Sequence, residues 1–160
     1  MDQIKIIKTE AEDLLKKMID KFEVEVTEEE GAHHVVIKAE EEAPTVIGRH
    51  GETIRAIQKI LEVVLYKKFS APIKLLVNVN DYREKQKEKL EIMAAQFATK
   101  TRETKNPVYL NNLSSYERKI IHEYVTNNYP DLISYSVGEG KERRLVINLK
   151  ENEPKDKIVG

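Results

Sequence analysis

The chain has 160 residues, a net charge of −1 and no cysteine, so disulfides, thiolate zinc sites and cysteine nucleophiles are excluded and a reducing, cytoplasmic setting is expected. Apolar runs such as Val63-Val64-Leu65-Tyr66 are far too short to span a bilayer, and Met1-Asp2-Gln3-Ile4-Lys5 lacks the layout of a signal peptide, so no membrane insertion is expected. The charge is divided: residues 1–46 carry 6 basic and 13 acidic side chains, whereas residues 47–160 carry 21 and 15; this is either ordinary solvated surface or a half that repels polyanions preceding one that attracts phosphate.

Ile4, Ile7, Ala11, Leu14, Leu15, Met18, Ile19 and Phe22 recur at helical spacing and predict a helix over residues 3–22. Alternation in Phe22-Glu23-Val24-Glu25-Val26 predicts a strand, Glu28-Glu29-Glu30-Gly31 a turn, and Val35, Ile37 and Ala39 the returning strand of a hairpin. Pro44 suits the first turn of a short helix through Val46 and Ile47. Beyond Gly51, the residues Ile54, Ile57, Leu61, Val64 and Leu65 mark a longer helix, and Ile73, Leu75, Val77 and Val79 alternate as a third strand after Pro72.

A second unit then begins. Leu90, Met93, Ala94, Phe97 and Ala98 form the stripe of a helix near 82–104, which Asn106-Pro107 breaks. Val108-Tyr109-Leu110 reads as a short strand, and Ser114 with Glu117 as a capping box opening a helix that runs to about Asn128. Ile133, Tyr135 and Val137 predict a strand, Gly138-Glu139-Gly140 a turn, and Leu145, Ile147 and Leu149 the returning strand. Residues 151–160 carry no pattern and read as a flexible tail. The expectation is an α+β chain of two small domains, 1–80 and 81–150.

Two motifs carry chemistry. In Ile47-Gly48-Arg49-His50-Gly51-Glu52-Thr53-Ile54, two glycines bracket two free positions and permit a tight link between helices. The following helix points its N–H groups and positive dipole end at that link, Arg49 adds a charge and His50 a donor, and Ile54 and Ile57 offer apolar surface for bases. The structural alternative is a plain helix–helix connector. In the second motif, Arg118 and His122 lie four apart on a helix, about 40° apart around its axis, while Ile120, Ile121, Tyr124 and Val125 take the core side. Arginine forks onto phosphate oxygens or stacks on a base, and neutral histidine both donates and accepts. Tyr116 is nearby, and Arg143 and Arg144 extend a phosphate track. The structural alternative is an exposed helix bearing an incidental Arg and His.

The order helix, strand, strand, short helix, G-x-x-G, helix, strand resembles a K-homology (KH) domain of type II over residues 3–80, αββααβ with a three-stranded sheet and helices on one face. The stretch Tyr116-Glu117-Arg118-Lys119-Ile120-Ile121-His122, preceded by Pro107-Val108-Tyr109-Leu110 and followed by Ser134-Tyr135-Ser136-Val137-Gly138, resembles the domain named for its Arg, three spacers and His (the R-three-H domain), a small sheet with two helices. The pair in this order, with Val77-Asn78-Val79-Asn80-Asp81-Tyr82-Arg83 at the junction, is similar to the bacterial Jag/KhpB (SpoIIIJ-associated) family. Many members carry an extra N-terminal domain, whereas this chain begins almost directly with the KH helix, so roles of that domain are not carried over.

The resemblance implies RNA contacts at Gly48, Arg49, His50, Gly51, Ile54 and Arg55 in the first domain, and at Arg118, His122, Tyr116, Arg143 and Arg144 in the second. It implies single-stranded RNA as partner, with single-stranded DNA as an alternative substrate, a second small KH protein as a further partner, and a post-transcriptional regulatory role. No cofactor or metal is expected. His33 and His34 are adjacent on a strand and point to opposite faces, a poor chelating pair. The runs Glu28–Glu30 and Glu40–Glu42 read as solvated turns, Lys85, Lys87 and Lys89 among Glu84, Glu88 and Glu91 as a salt-bridged surface, and Ser114 and Ser115 form no defensible triad. Two competing functions are an adaptor in cell-envelope or division control and a phosphodiesterase with His122 as base; the latter lacks a second acid–base residue.

Overall fold

Asp2 opens the first helix, its carboxylate accepting the Ile4 N–H at 3.1 Å. Helix α1 (Gln3–Leu15) buries Ile7, Ala11 and Leu15. The predicted helix to residue 22 is too long: the chain leaves the helix at Lys16, and Met18, Ile19 and Phe22 reach the core from the connecting turn. Periodicity alone does not register that exit, because the turn supplies apolar groups at the same spacing.

In the computed structural model residues 2–154 are described, and the chain divides into two compact units between Glu84 and Lys85. In the first unit, β1 (Glu23–Glu29) and β2 (Ala32–Lys38) form an antiparallel hairpin closed by Glu30 and Gly31, both at positive φ. After α2 (Ala43–Ile47) and α3 (Glu52–Phe69), β3 (Leu75–Val79) joins β2 in parallel, giving the order β1-β2-β3. Val24, Val35, Ile37, Val77 and Val79 face the same core as Ile54, Ile57, Leu61 and Leu65 of α3. His33 is buried and His34 less so, as their opposite faces require.

Two polar clasps hold this unit. The Glu42 carboxylate accepts the N–H groups of Asp20 and Lys21, at 3.1 and 2.9 Å, so one acid of the Glu40–Glu42 run fastens the chain after α1 and is not merely a solvated turn residue. At the end of β3, the Asn80 amide exchanges hydrogen bonds with Ala39, 3.1 Å to its N–H and 2.8 Å to its carbonyl. Arg83 donates to the Val77 carbonyl at 2.6 Å and to Gln58, while Gln58 accepts the Val77 N–H at 3.0 Å. The Val77–Arg83 stretch thus keys α3 to the sheet.

Helix α4 (Tyr82–Thr104) crosses the division at Glu84. In the second unit it buries Leu90, Ala94 and Ala98 beside α5 (Ser115–Asn128), which contributes Ile121 and Val125. The sheet runs β4-β6-β5, all antiparallel, from β4 (Val108–Leu110), β5 (Leu132–Val137) and β6 (Arg144–Leu149). Ile133, Tyr135 and Val137 lie in a strand as expected; the residue of β5 that joins the core with Leu145, Ile147 and Leu149 is Leu132. The tail reading needs a correction at its start: Lys150–Asn152 form a 3-10 turn. Residues 155–160 lie outside the described residues.

Candidate nucleic-acid interface

The turn between α2 and α3 is held by backbone geometry that side chains do not fit. Gly48 lies at φ 71°, ψ 177°, a region open essentially to glycine alone. A Cβ there would stand 2.2 Å from Thr53 Oγ1 and 2.8 Å from the Thr53 nitrogen. Gly51, at φ 74° and ψ 17°, is buried and precedes α3; a Cβ on it would meet the Tyr82 ring at 3.1 Å. His50 between them is left-handed at φ 55° and half-buried, while Arg49 is exposed. The chain therefore reverses in four residues with Arg49 toward water.

Two expectations about this turn change. Ile54 and Ile57 are each 2% exposed and belong to the core, so neither offers a surface for bases. Apolar periodicity marks the packed side of a helix, and here that side faces the sheet. Three N–H groups at the edges of the turn are engaged: Gly48 donates to Pro44, Gly51 to Gly48 and Glu52 to Arg49. The Arg49 side chain at the crest is exposed. Arg55 braces the turn, its Nη1 donating to the His50 carbonyl at 2.8 Å; the arginine nearest the turn on α3 is a strut.

The second face is built from side chains. Ser114 and Glu117 form the capping box, the hydroxyl accepting the Glu117 N–H at 3.2 Å and the carboxylate the Ser114 N–H at 2.7 Å. Gln86 of α4 donates to the same carboxylate at 3.1 Å, so this buried acid is satisfied. With the start of α5 fixed, Arg118 turns back and donates to the Leu113 carbonyl at 2.8 Å and to Ser115 Oγ at 3.2 Å. These bonds take only part of a guanidinium that carries five N–H donors. One turn on, exposed His122 is anchored at Nδ1 to Ser134 Oγ, 2.6 Å away, which leaves Nε2 as its second polar atom. Tyr116 is half-buried in the first turn. Arg143 donates to the Gly138 carbonyl at 2.8 Å, and the Arg144 guanidinium lies 4.4 Å from the Tyr109 ring centroid.

The sequence reading overlooked Ser134, Gln86 and Tyr109. Ser134 had a signal: β5 alternation puts it on the same side as Leu132, facing the helix layer, where a small polar residue needs a partner. Tyr109 sits on β4 opposite Val146, which in turn pairs with Tyr135, so the sheet face away from the core carries a Tyr-Val-Tyr row. Among the described residues no group of three His, Cys, Asp or Glu could hold a metal ion, and no helix is long and apolar enough to cross a membrane.

Comparison with known proteins follows the same division. The family model described as the KhpA/KhpB KH domain matches residues 8–77, and that of the R-three-H domain matches residues 88–149. A protein of Clostridium symbiosum named RNA-binding protein KhpB is 32% identical over 144 residues, 90% of this chain and 64% of that protein. Proteins of the same name from Bacillus subtilis (strain 168) and Streptococcus pneumoniae are 34% and 30% identical over 111 and 148 residues; the matches cover 69% and 91% of this chain but 53% and 45% of those proteins. The chain thus spans about half to two thirds of these relatives' length.

Proposed function

The chain belongs to the Jag/KhpB family, a KH domain followed by an R-three-H domain, and from that premise we propose that it is a non-enzymatic RNA-binding protein holding single-stranded RNA at both modules. Arg49 at the crest of the Gly48–Gly51 turn engages the sugar-phosphate backbone, with His50 beside it and Arg55 holding the turn's shape. Arg118 and His122 take neighbouring nucleotides. Two weak sites on one chain act at high effective concentration on a common strand, so both together bind more tightly than either. This is consistent with a post-transcriptional regulator in the cytoplasm.

The observation that carries this reading is the Gly48 geometry: a backbone conformation and a contact with Thr53 that admit no side chain, placed directly before an exposed arginine. A position that only glycine fits, where the backbone can be approached closely, supports a functional turn over a simple connector. The test is fluorescence anisotropy of labelled single-stranded RNA with the Arg49→Asp/His50→Asp variant, its fold checked by circular dichroism. Asp tolerates the left-handed conformation at position 50. Affinity is expected to fall at least about tenfold from charge reversal alone; unchanged affinity in a folded variant refutes the turn assignment.

A second reading, a protein-interaction adaptor, is favoured by Ile60, Val63 and Tyr66, which stand 48, 58 and 57% exposed along α3. A second small KH protein is the partner expected on the family resemblance. Recovery of a partner that survives nuclease treatment and is lost on Val63→Asp supports this role beside RNA binding.

A further inference from the structure

The β4–α5 loop and the β5–β6 hairpin enclose an open pocket of about 590 Å³ whose wall includes Asn111, Asn112, Lys141, Arg143 and Arg144. Its size falls in the range of pockets that take small ligands, about 300–1,000 Å³. Three cations against one carboxylate, Glu142, give it a local positive field in a chain that is negative as a whole. Arg143 is fixed by its bond to Gly138, and Arg144 is held over the Tyr109 ring. The opposite wall is also held in place. Arg118 grips the Leu113 carbonyl, one residue beyond Asn112, and Asn112 is left-handed at φ 57°. Asn111 and Asn112 thus line one wall of the pocket and the cationic hairpin the other.

We propose that this pocket binds one nucleotide of the single strand and confers base preference on the second module; the inference rests on the single-strand reading above. Lys141 and Arg143 neutralise the phosphate. The Arg144 guanidinium, backed by Tyr109, presents its other face to the base, since a planar, weakly hydrated cation stacks where an ammonium does not. The amides of Asn111 and Asn112 supply both donors and acceptors to a base edge, the pairing that discriminates one base from another. On this view Arg118 is a positioning residue for the pocket as well as a contact: it holds the loop that carries the two amides.

The experiment uses the full chain and fluorescein-labelled homopolymeric oligoribonucleotides of adenosine, uridine and cytidine. The parent is expected to rank the three. Arg144→Lys keeps the charge but removes the planar stack, and weakens the preferred oligomer by about fivefold. Asn111→Ala/Asn112→Gly removes the amides without forcing a side chain into positive φ, and narrows the ranking by about fivefold. A parent that binds all three equally, or an unaltered ranking in the Asn variant, overturns the base-reading role. An Arg144→Lys variant that binds like the parent, while Arg49→Asp/His50→Asp still binds poorly, overturns the pocket and leaves the single-strand reading intact. A parent that binds none of the oligomers removes that reading itself.

Discussion

On the proposed function, the two units prepare for the same class of ligand by opposite means. In the first, the shaped object is the main chain: Gly48 and Gly51 fit where no Cβ does, and Arg55 braces the loop from behind through the His50 carbonyl. In the second, the main chain is ordinary helix, and the shaped objects are side chains held by specific partners, Arg118 on Leu113 and His122 on Ser134. A backbone site fails when atoms are added; a side-chain site fails when they are removed. The mutations that damage each unit should therefore differ in kind, and the damage should appear in different measurements.

The largest expected effect comes from adding one carbon. Gly48→Ala drives a Cβ into Thr53, including its backbone nitrogen, at a φ/ψ pair that L residues avoid. We expect a loss of about 3 kcal/mol in the stability of the first unit, read by urea denaturation. Gly51→Ala meets only the Tyr82 ring at 3.1 Å, in the milder left-handed region, and should lose about 1–2 kcal/mol. Equal losses at the two positions would break the claim that Gly48 is the tighter of the pair.

The next effect is subtractive. Arg118→Ala should leave the second unit folded, because its core of Ile121, Val125, Leu145 and Ile147 does not involve that side chain. RNA affinity should fall by about tenfold, and amide exchange in the 111–113 loop should accelerate as the Leu113 carbonyl loses its donor. Weaker binding without faster exchange would show that Arg118 acts only as a charge. Ser134→Ala comes after it in size. It keeps His122 but frees the ring, and a lost hydrogen bond of ordinary strength predicts about a fivefold weakening, less than His122→Ala produces. If Ser134→Ala matches the parent, orientation of the imidazole does not matter.

The same contrast decides what the sequence revealed. Elements defined by periodicity were readable: the helix near 82–104, the strand Val108–Leu110 and the Ser114–Glu117 box occur as expected, because caps and alternation are local. The two glycines were readable as a turn, but not how tightly Gly48 packs on Thr53, which depends on how α3 returns. Ile54 was misplaced because an apolar residue beside a binding loop looks the same whether it faces ligand or core; only the sheet behind α3 decides. Arg55 and Glu42 carry no local mark of their roles, since each bonds a main-chain group whose position the fold supplies. Ser134 was hidden in β5 because its apolar neighbours Ile133 and Tyr135 drew the alternation toward the outer face.

The smallest effect separates the units by pH. Each carries an exposed ion pair, Lys38 with Glu25 in the first and Arg102 with Asp131 in the second. The hydrogen bond to Glu25 raises the Lys38 pKa above its ordinary 10.5, so that pair's contribution is complete below pH 10.5 and is lost as pH rises through the folded value. The hydrogen bonds from Arg102 hold the Asp131 carboxyl below its ordinary 3.8, so its contribution is complete above that pH and is lost as pH falls through the folded value. Acid should therefore weaken the second unit through Asp131, and alkali the first through Lys38. Denaturation curves of the parent, Asp131→Asn and Lys38→Met across both limbs provide the check. Asp131→Asn should flatten only the acid limb of the second unit and Lys38→Met only the alkaline limb of the first. Because both pairs face water, roughly molar salt should shrink both differences. A limb that persists at high salt assigns the titration to a less exposed group in that unit.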